Sequence, residues 1–101
     1  MKIKLYGSDL DALMSISSAL ASQTAELADK FMNADNAKDR AYYDFKFANN
    51  SVAYYTVSVQ WAREFNKEYG AKDNSLAYYK KELKHWKEEA KRAELAWIET
   101  L

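Results

Sequence analysis

From Leu10 onward, apolar positions return every three or four residues. Leu10, Leu13, Ile16, Leu20, Thr24, Leu27 and Phe31 fall on one stripe, while Asp11, Ser15, Ser18, Ser22, Glu26 and Asp29 collect opposite. That period belongs to a helix with one buried face. Ser8, with Asp11 three residues on and Asp9 between them, supplies a cap and first-turn acids, so the helix is placed at 8–34. A second clear case opens at Asp73-Asn74-Ser75. There Leu76, Tyr79, Leu83, Trp86, Ala90, Ala93, Trp97 and Leu101 repeat at the same spacing and predict a helix over 74–101. Asn33 to Asn36 ends the first helix and offers Asp35 or Asn36 as the next cap, and Gly70 is a natural stop for the middle segment. At the start, Lys2 and Lys4 alternate with Ile3 and Leu5 as far as Gly7, which suits a short extended arm over 1–7.

The middle segment carries two periods at once. Tyr43, Phe45 and Phe47 alternate with Asp44 and Lys46, and Tyr55, Val57, Val59 and Trp61 alternate with Tyr54, Thr56, Ser58 and Gln60. With Asn49-Asn50-Ser51 as the turn, a hairpin brings its apolar faces into register. A helical stripe competes with it: Ala41, Phe45, Ala48, Val52, Tyr55, Val59, Ala62 and Tyr69 keep their phase straight through the supposed turn. The flanking segments AKDRAYYD and WAREFNKEYG are helical in composition, and a hairpin would have only KIKLY as a third strand. The preferred architecture is therefore all-α, a single domain over 1–101 with three long antiparallel helices at 8–34, 37–69 and 74–101 and a short N-terminal extended arm. The alternative is α+β in the order β-α-β-β-α, with strands near 2–6, 41–48 and 52–61 in a small antiparallel sheet. Either fold is expected to bury Leu13, Leu20, Leu27, Phe31, Phe45, Val59, Leu83, Trp86 and Trp97.

As a helix, 37–69 bears a second apolar stripe nearly opposite the first: Tyr43, Phe47, Tyr54, Val57, Trp61 and Phe65. In a simple three-helix bundle each helix buries one broad stripe, because both neighbours lie on the same side. Two opposed stripes require two opposed partners. Either the outer helices flank the middle one in a layer, or one face is kept for another molecule. Tyrosine and tryptophan are enriched at the centres of protein–protein contacts. Tyr43, Phe47, Tyr54, Trp61 and Phe65 are therefore the candidate partner-binding residues.

Charge adds one local feature. Lysine plus arginine and aspartate plus glutamate each number 15, a formal net charge of zero, so nothing draws the whole chain toward nucleic acid. Lys80, Lys84, Lys87 and Lys91 nevertheless line one flank of the third helix, and Glu82 and Glu89 the other. This basic ridge could touch phosphates, but Glu88 and Glu94 interrupt it, and opposite charges on two flanks also set the orientation of a docking helix.

Chemistry of other kinds finds little foothold. There is no cysteine, and His85, between Lys84 and Trp86, is the only histidine and falls off the core stripe, so neither a metal site nor any other cofactor is expected. Gly7 and Gly70 stand alone, which leaves no glycine-rich phosphate loop and no nucleophile elbow, and catalysis is not expected. Even the uncharged stretch from Phe47 to Ala62 contains Asn49, Asn50, Ser51, Thr56, Ser58 and Gln60, too polar for a membrane span. Lys2 and Lys4 followed by an alanine-rich segment faintly mimic a signal peptide, but Asp9 and Asp11 sit where its apolar part should begin, so a cytoplasmic location is expected.

These features predict a non-catalytic protein–protein interaction module that occupies a surface of another protein. The alternatives are a homo-oligomeric structural protein using the same stripe, and a nucleic-acid accessory protein using the lysine ridge. A short KIKLYG lead before long amphipathic helices resembles in style the small accessory proteins of phages and mobile elements. The likeness covers no diagnostic motif, and a masking inhibitor of a host protein, anti-CRISPR-like, is one specific version of the binding-module reading.

Overall fold

The computed structural model describes residues 7–70 and 75–101, and the side chains from Leu10. It contains three helices, α1 (Gly7–Met32), α2 (Ala37–Tyr69) and α3 (Ser75–Ile98), and no strand among the described residues. The all-α reading holds. The α+β alternative fails in the middle segment, where 41–48 and 52–61 are continuous helix. Of the extended arm expected over 1–7, residues 1–6 lie outside the described residues, as do the strand proposed at 2–6 and the Asp73-Asn74 cap, while Gly7 is helical and not extended. Ser8 therefore lies inside the first turn of α1 and not at its cap.

Local chemistry explains the ends of α2. Asn36 is its N-cap, with extended backbone and a side-chain oxygen that accepts from the Asp39 N–H at 2.8 Å. Gly70 closes it at φ +63°, a left-handed turn that glycine adopts without cost. Between them the supposed turn residues are absorbed into the helix. The Ser51 hydroxyl donates back to the Phe47 carbonyl at 3.0 Å, and the Asn50 amide finds its acceptors on α1.

Residue pairing shows both neighbours running antiparallel to α2. Along one side Trp61 lies near Met14 and Ser17, Asn50 near Leu20 and Thr24, and Tyr43 near Lys30. Along the other side Tyr55 meets Tyr79, Phe47 meets Trp86, and Phe45 meets Trp97. Among the described residues no Cα of α1 comes within 8 Å of one in α3. The molecule is therefore a layer with α2 in the centre, and the two opposed stripes of α2 have two neighbours within the chain.

The core differs from the expected set. Leu13 and Val59 are buried as expected, but the other fully shielded apolar residues are Leu10, Ala48, Ala62, Ala90 and Ala93. Leu20, Leu27, Phe31, Phe45, Leu83, Trp86 and Trp97 are only partly buried. Alanines occupy the buried centre of the seam between α2 and α3, where Ala48, Ala90 and Ala93 cluster, and Phe45, Val52 and Trp86 pack around them. Small residues let the axes come close, which displaces the large rings to the flanks of the seam. Ile16, expected within the α1 stripe, is half exposed. With a single neighbour, α1 buries a narrow line, and Ile16 falls at its margin.

Candidate functional site

Because the backbones of α1 and α3 stay apart, a cleft runs between them over α2. Its floor is a line of small residues on α2: Ser51 and Ser58, each 4 % exposed, lie two turns apart. Their hydroxyls would be costly to bury unpaired, but each donates to the carbonyl four residues back, Phe47 at 3.0 Å and Tyr54 at 2.8 Å. Two depressions open above them. One, of about 150 Å³, is lined by Met14, Ser17 and Ser18 of α1, Ser58 and Trp61 of α2, and Tyr79 of α3. The other, of about 230 Å³, is lined by Ala21 and Thr24 of α1, Phe47, Ser51, Tyr54 and Tyr55 of α2, and Trp86 of α3.

The five residues singled out from the sequence divide among different surroundings, and all five are partly buried. Phe47 and Tyr54 line the larger depression and Trp61 the smaller one. Tyr43 sits farther along, its ring centroid 6.0 Å from the Lys30 ammonium. Phe65 stacks on Trp61 at 5.0 Å and meets Tyr69 at 4.8 Å. The stripe is thus divided: Tyr43 and Trp61 lie beside α1, whereas Phe47 meets Trp86 of α3. The Trp61 indole N–H is buried without an acceptor.

Sequence reasoning missed the residues that complete the cleft. Tyr55, Tyr79 and Trp86 fall on core stripes by periodicity, yet they line its walls. The available signal was Ser51 and Ser58, seven residues apart on a helix otherwise rich in rings. That spacing marks one line of small residues between the two stripes.

Among the described residues no carboxylate, lysine or arginine lines either depression, so the described lining is uncharged. The Tyr55 phenol is pushed up to about 12, first by burial and then by its hydrogen bond with Tyr78 and the nearby Tyr78 and Glu82. It is a neutral hydroxyl at any ordinary pH. Among the described residues, no group of three histidine, aspartate or glutamate side chains is placed to hold a metal ion, and no helix is long and apolar enough to cross a membrane. Such a lining can take apolar groups against its rings and offer hydroxyls to their polar edges.

The lysine ridge lies on the other flank of α3. Lys80, Lys84, Lys87 and Lys91 are all exposed. Lys80, Lys84 and Lys87 border a separate open groove between α3 and α2, and His85 is exposed nearby. No protein-family model, curated protein or solved structure matches the chain.

Proposed function

We propose that the chain is a non-catalytic protein-binding module that occupies a surface of a partner protein with its aromatic cleft. The observation that carries this reading is the cleft itself, lined by three helices of which the outer two, among the described residues, bring no Cα atoms within 8 Å of each other. Its size favours a protein over a small molecule. Small-molecule sites typically enclose roughly 300–1,000 Å³, whereas these depressions of about 150 and 230 Å³ match single side chains of a docking surface. Partly buried rings beside hydroxyls provide contact area at low rotamer cost. Masking a host protein, in the manner of an anti-CRISPR inhibitor, is one form of this reading.

A homo-oligomer is the second reading. Leu95, Ile98 and Leu101 are exposed at the C-terminal end, a further apolar surface that a second copy could cover.

Placing a photo-crosslinking phenylalanine at Tyr54 tests the first reading in extracts of cells that make the protein. One dominant foreign protein should be captured, and unlabelled wild-type chain should compete it away. Crosslinks confined to α1 would overturn the proposal, and a product of twice the chain mass would transfer the cleft to the second reading. Unlabelled Tyr54→Ala chain should fail to compete the capture away, with its helical circular-dichroism signal retained. Trp61→Ala, which exposes the α1 seam, should destabilise by about 3–5 kcal/mol.

A further inference from the structure

The open groove on the other flank of α3 shares no lining residue with the cleft. Its floor is Val59 of α2 and Leu83 of α3, and four cations surround it: Arg63, Lys80, Lys84 and Lys87. Its volume is about 390 Å³, larger than either depression of the cleft. Glu88 also borders it, yet among the described residues none of the four cations forms an ion pair; the salt bridges there centre on Arg92, with Glu89 at 2.8 Å and Asp44 at 3.5 Å. The chain thus gathers four cations around an apolar strip against one lining carboxylate, a local positive excess in a chain of zero formal net charge.

We propose that this groove docks an acidic protein segment, an amphipathic helix that sets an apolar side chain on Val59 and Leu83 and carboxylates toward Arg63, Lys80, Lys84 and Lys87. Charge complementarity selects the occupant. Opposed charges flanking an apolar strip fix both partner and orientation, as in paired helices. Three features favour a peptide over nucleic acid. The floor is apolar and gives a phosphate backbone nothing to hold, Glu88 repels phosphate at the rim, and the chain as a whole carries no positive excess to attract a polyanion. Carboxylates spaced along a helix can reach the four cations and avoid Glu88, which a uniform line of phosphates cannot. The lysine stems add apolar contact to the floor while their ammonium groups stay in water.

The test is nuclear magnetic resonance titration of the full chain with a synthetic helical peptide that carries leucines at three-four spacing and glutamates on the flanks. Shifts should concentrate at Val59, Arg63, Lys80, Leu83, Lys84 and Lys87. Substituting glutamine for the peptide's glutamates, or alanine for its leucines, should each weaken binding. Added salt should weaken the interaction without abolishing it, because the leucine contact is not screened. Lys80→Gln, Lys84→Gln and Lys87→Gln together should cost about tenfold in affinity. Lys38→Gln, Lys46→Gln and Lys81→Gln, an equal charge change on exposed positions outside the groove, should leave affinity within about twofold. All six positions are exposed, so both variants should keep the wild-type amide spectrum. No shifts, shifts centred on α1 or the cleft, or equal loss in both variants would overturn the proposal. Tighter binding of a single- or double-stranded oligonucleotide of equal charge would overturn it in favour of nucleic acid. Since the cleft shares none of these residues, crosslinking through Tyr54 can fail or succeed independently.

Discussion

Ala93 is fully shielded and packs with Ala48, itself 1 % exposed, at the buried centre of the α2–α3 seam. A larger side chain there has to push the axes apart. Ala93→Leu should cost about 1–3 kcal/mol, read as a fall of several degrees in the thermal midpoint, and an unchanged midpoint would show that the seam is loose. Periodicity located the seam but assigned its centre to the largest rings. Apolar pattern weighs hydrophobicity and carries no measure of how closely two axes approach, so Trp86 and Trp97 looked like core and Ala90 and Ala93 like fillers between them. Tyr55 adds a pH test. Its folded-state pKa of about 12 lies above the ordinary 10.0, so the fold favours the neutral phenol. The stability it contributes is present below pH 10 and is lost as pH rises through about 12. Subtracting the ultraviolet titration of Tyr55→Phe from that of the wild type should isolate one late-ionising phenol. A difference curve centred at 10.0 would contradict the burial argument.

For the elements, the decisive segment was Asn49-Asn50-Ser51, which has the composition of a turn and the phase of a helix. Phase continued through it from Ala41 to Tyr69, whereas turn composition was a local signal that two side-chain hydrogen-bond patterns could satisfy inside a helix. Asn50 shows how: its amide donates to the Leu20 carbonyl at 2.8 Å and to the Thr24 hydroxyl at 2.6 Å, bridging α2 to α1. The hydroxyl of Thr24 in turn donates to the same carbonyl. A polar tie of this kind fixes how far one helix slides along another. Asn50→Ala should cost about 1–3 kcal/mol, with hydrogen exchange quickening in α1 before α3. Uniform quickening across both helices would show that the tie does not act on the α1 seam. None of this was legible beforehand, because the acceptors lie 26 and 30 residues away and a single sequence contains no register between helices.

The whole molecule measures 49 × 24 × 21 Å, with a radius of gyration of 15.8 Å; a compact chain of this length would have about 13 Å. The sequence had raised the layer as one of two explanations for a double-striped helix. It could not choose, because a stripe covered within the chain and a stripe kept for a partner have the same composition. The cleft was illegible for a related reason, since it exists only through the separation of α1 from α3. That separation predicts that the two seams act independently. Leu13→Ala on the α1 side and Trp97→Ala on the α3 side should add to within about 0.5 kcal/mol in chemical denaturation. A larger coupling would mean that the outer helices communicate through α2.

Because α2 alone is in register with both neighbours, it is the common ruler of the fold. One residue added within the connection at 33–36 lengthens a link and leaves both seams in phase. The same residue added between Ser51 and Ser58 would rotate the rest of α2 by about 100°, carrying Trp61 away from α1 and Val59 away from α3 together. Seven added residues, close to two full turns, would nearly restore the phase at the cost of a longer helix. Length variation in this chain should therefore be absorbed at its links, while the middle of α2 admits change only in whole turns.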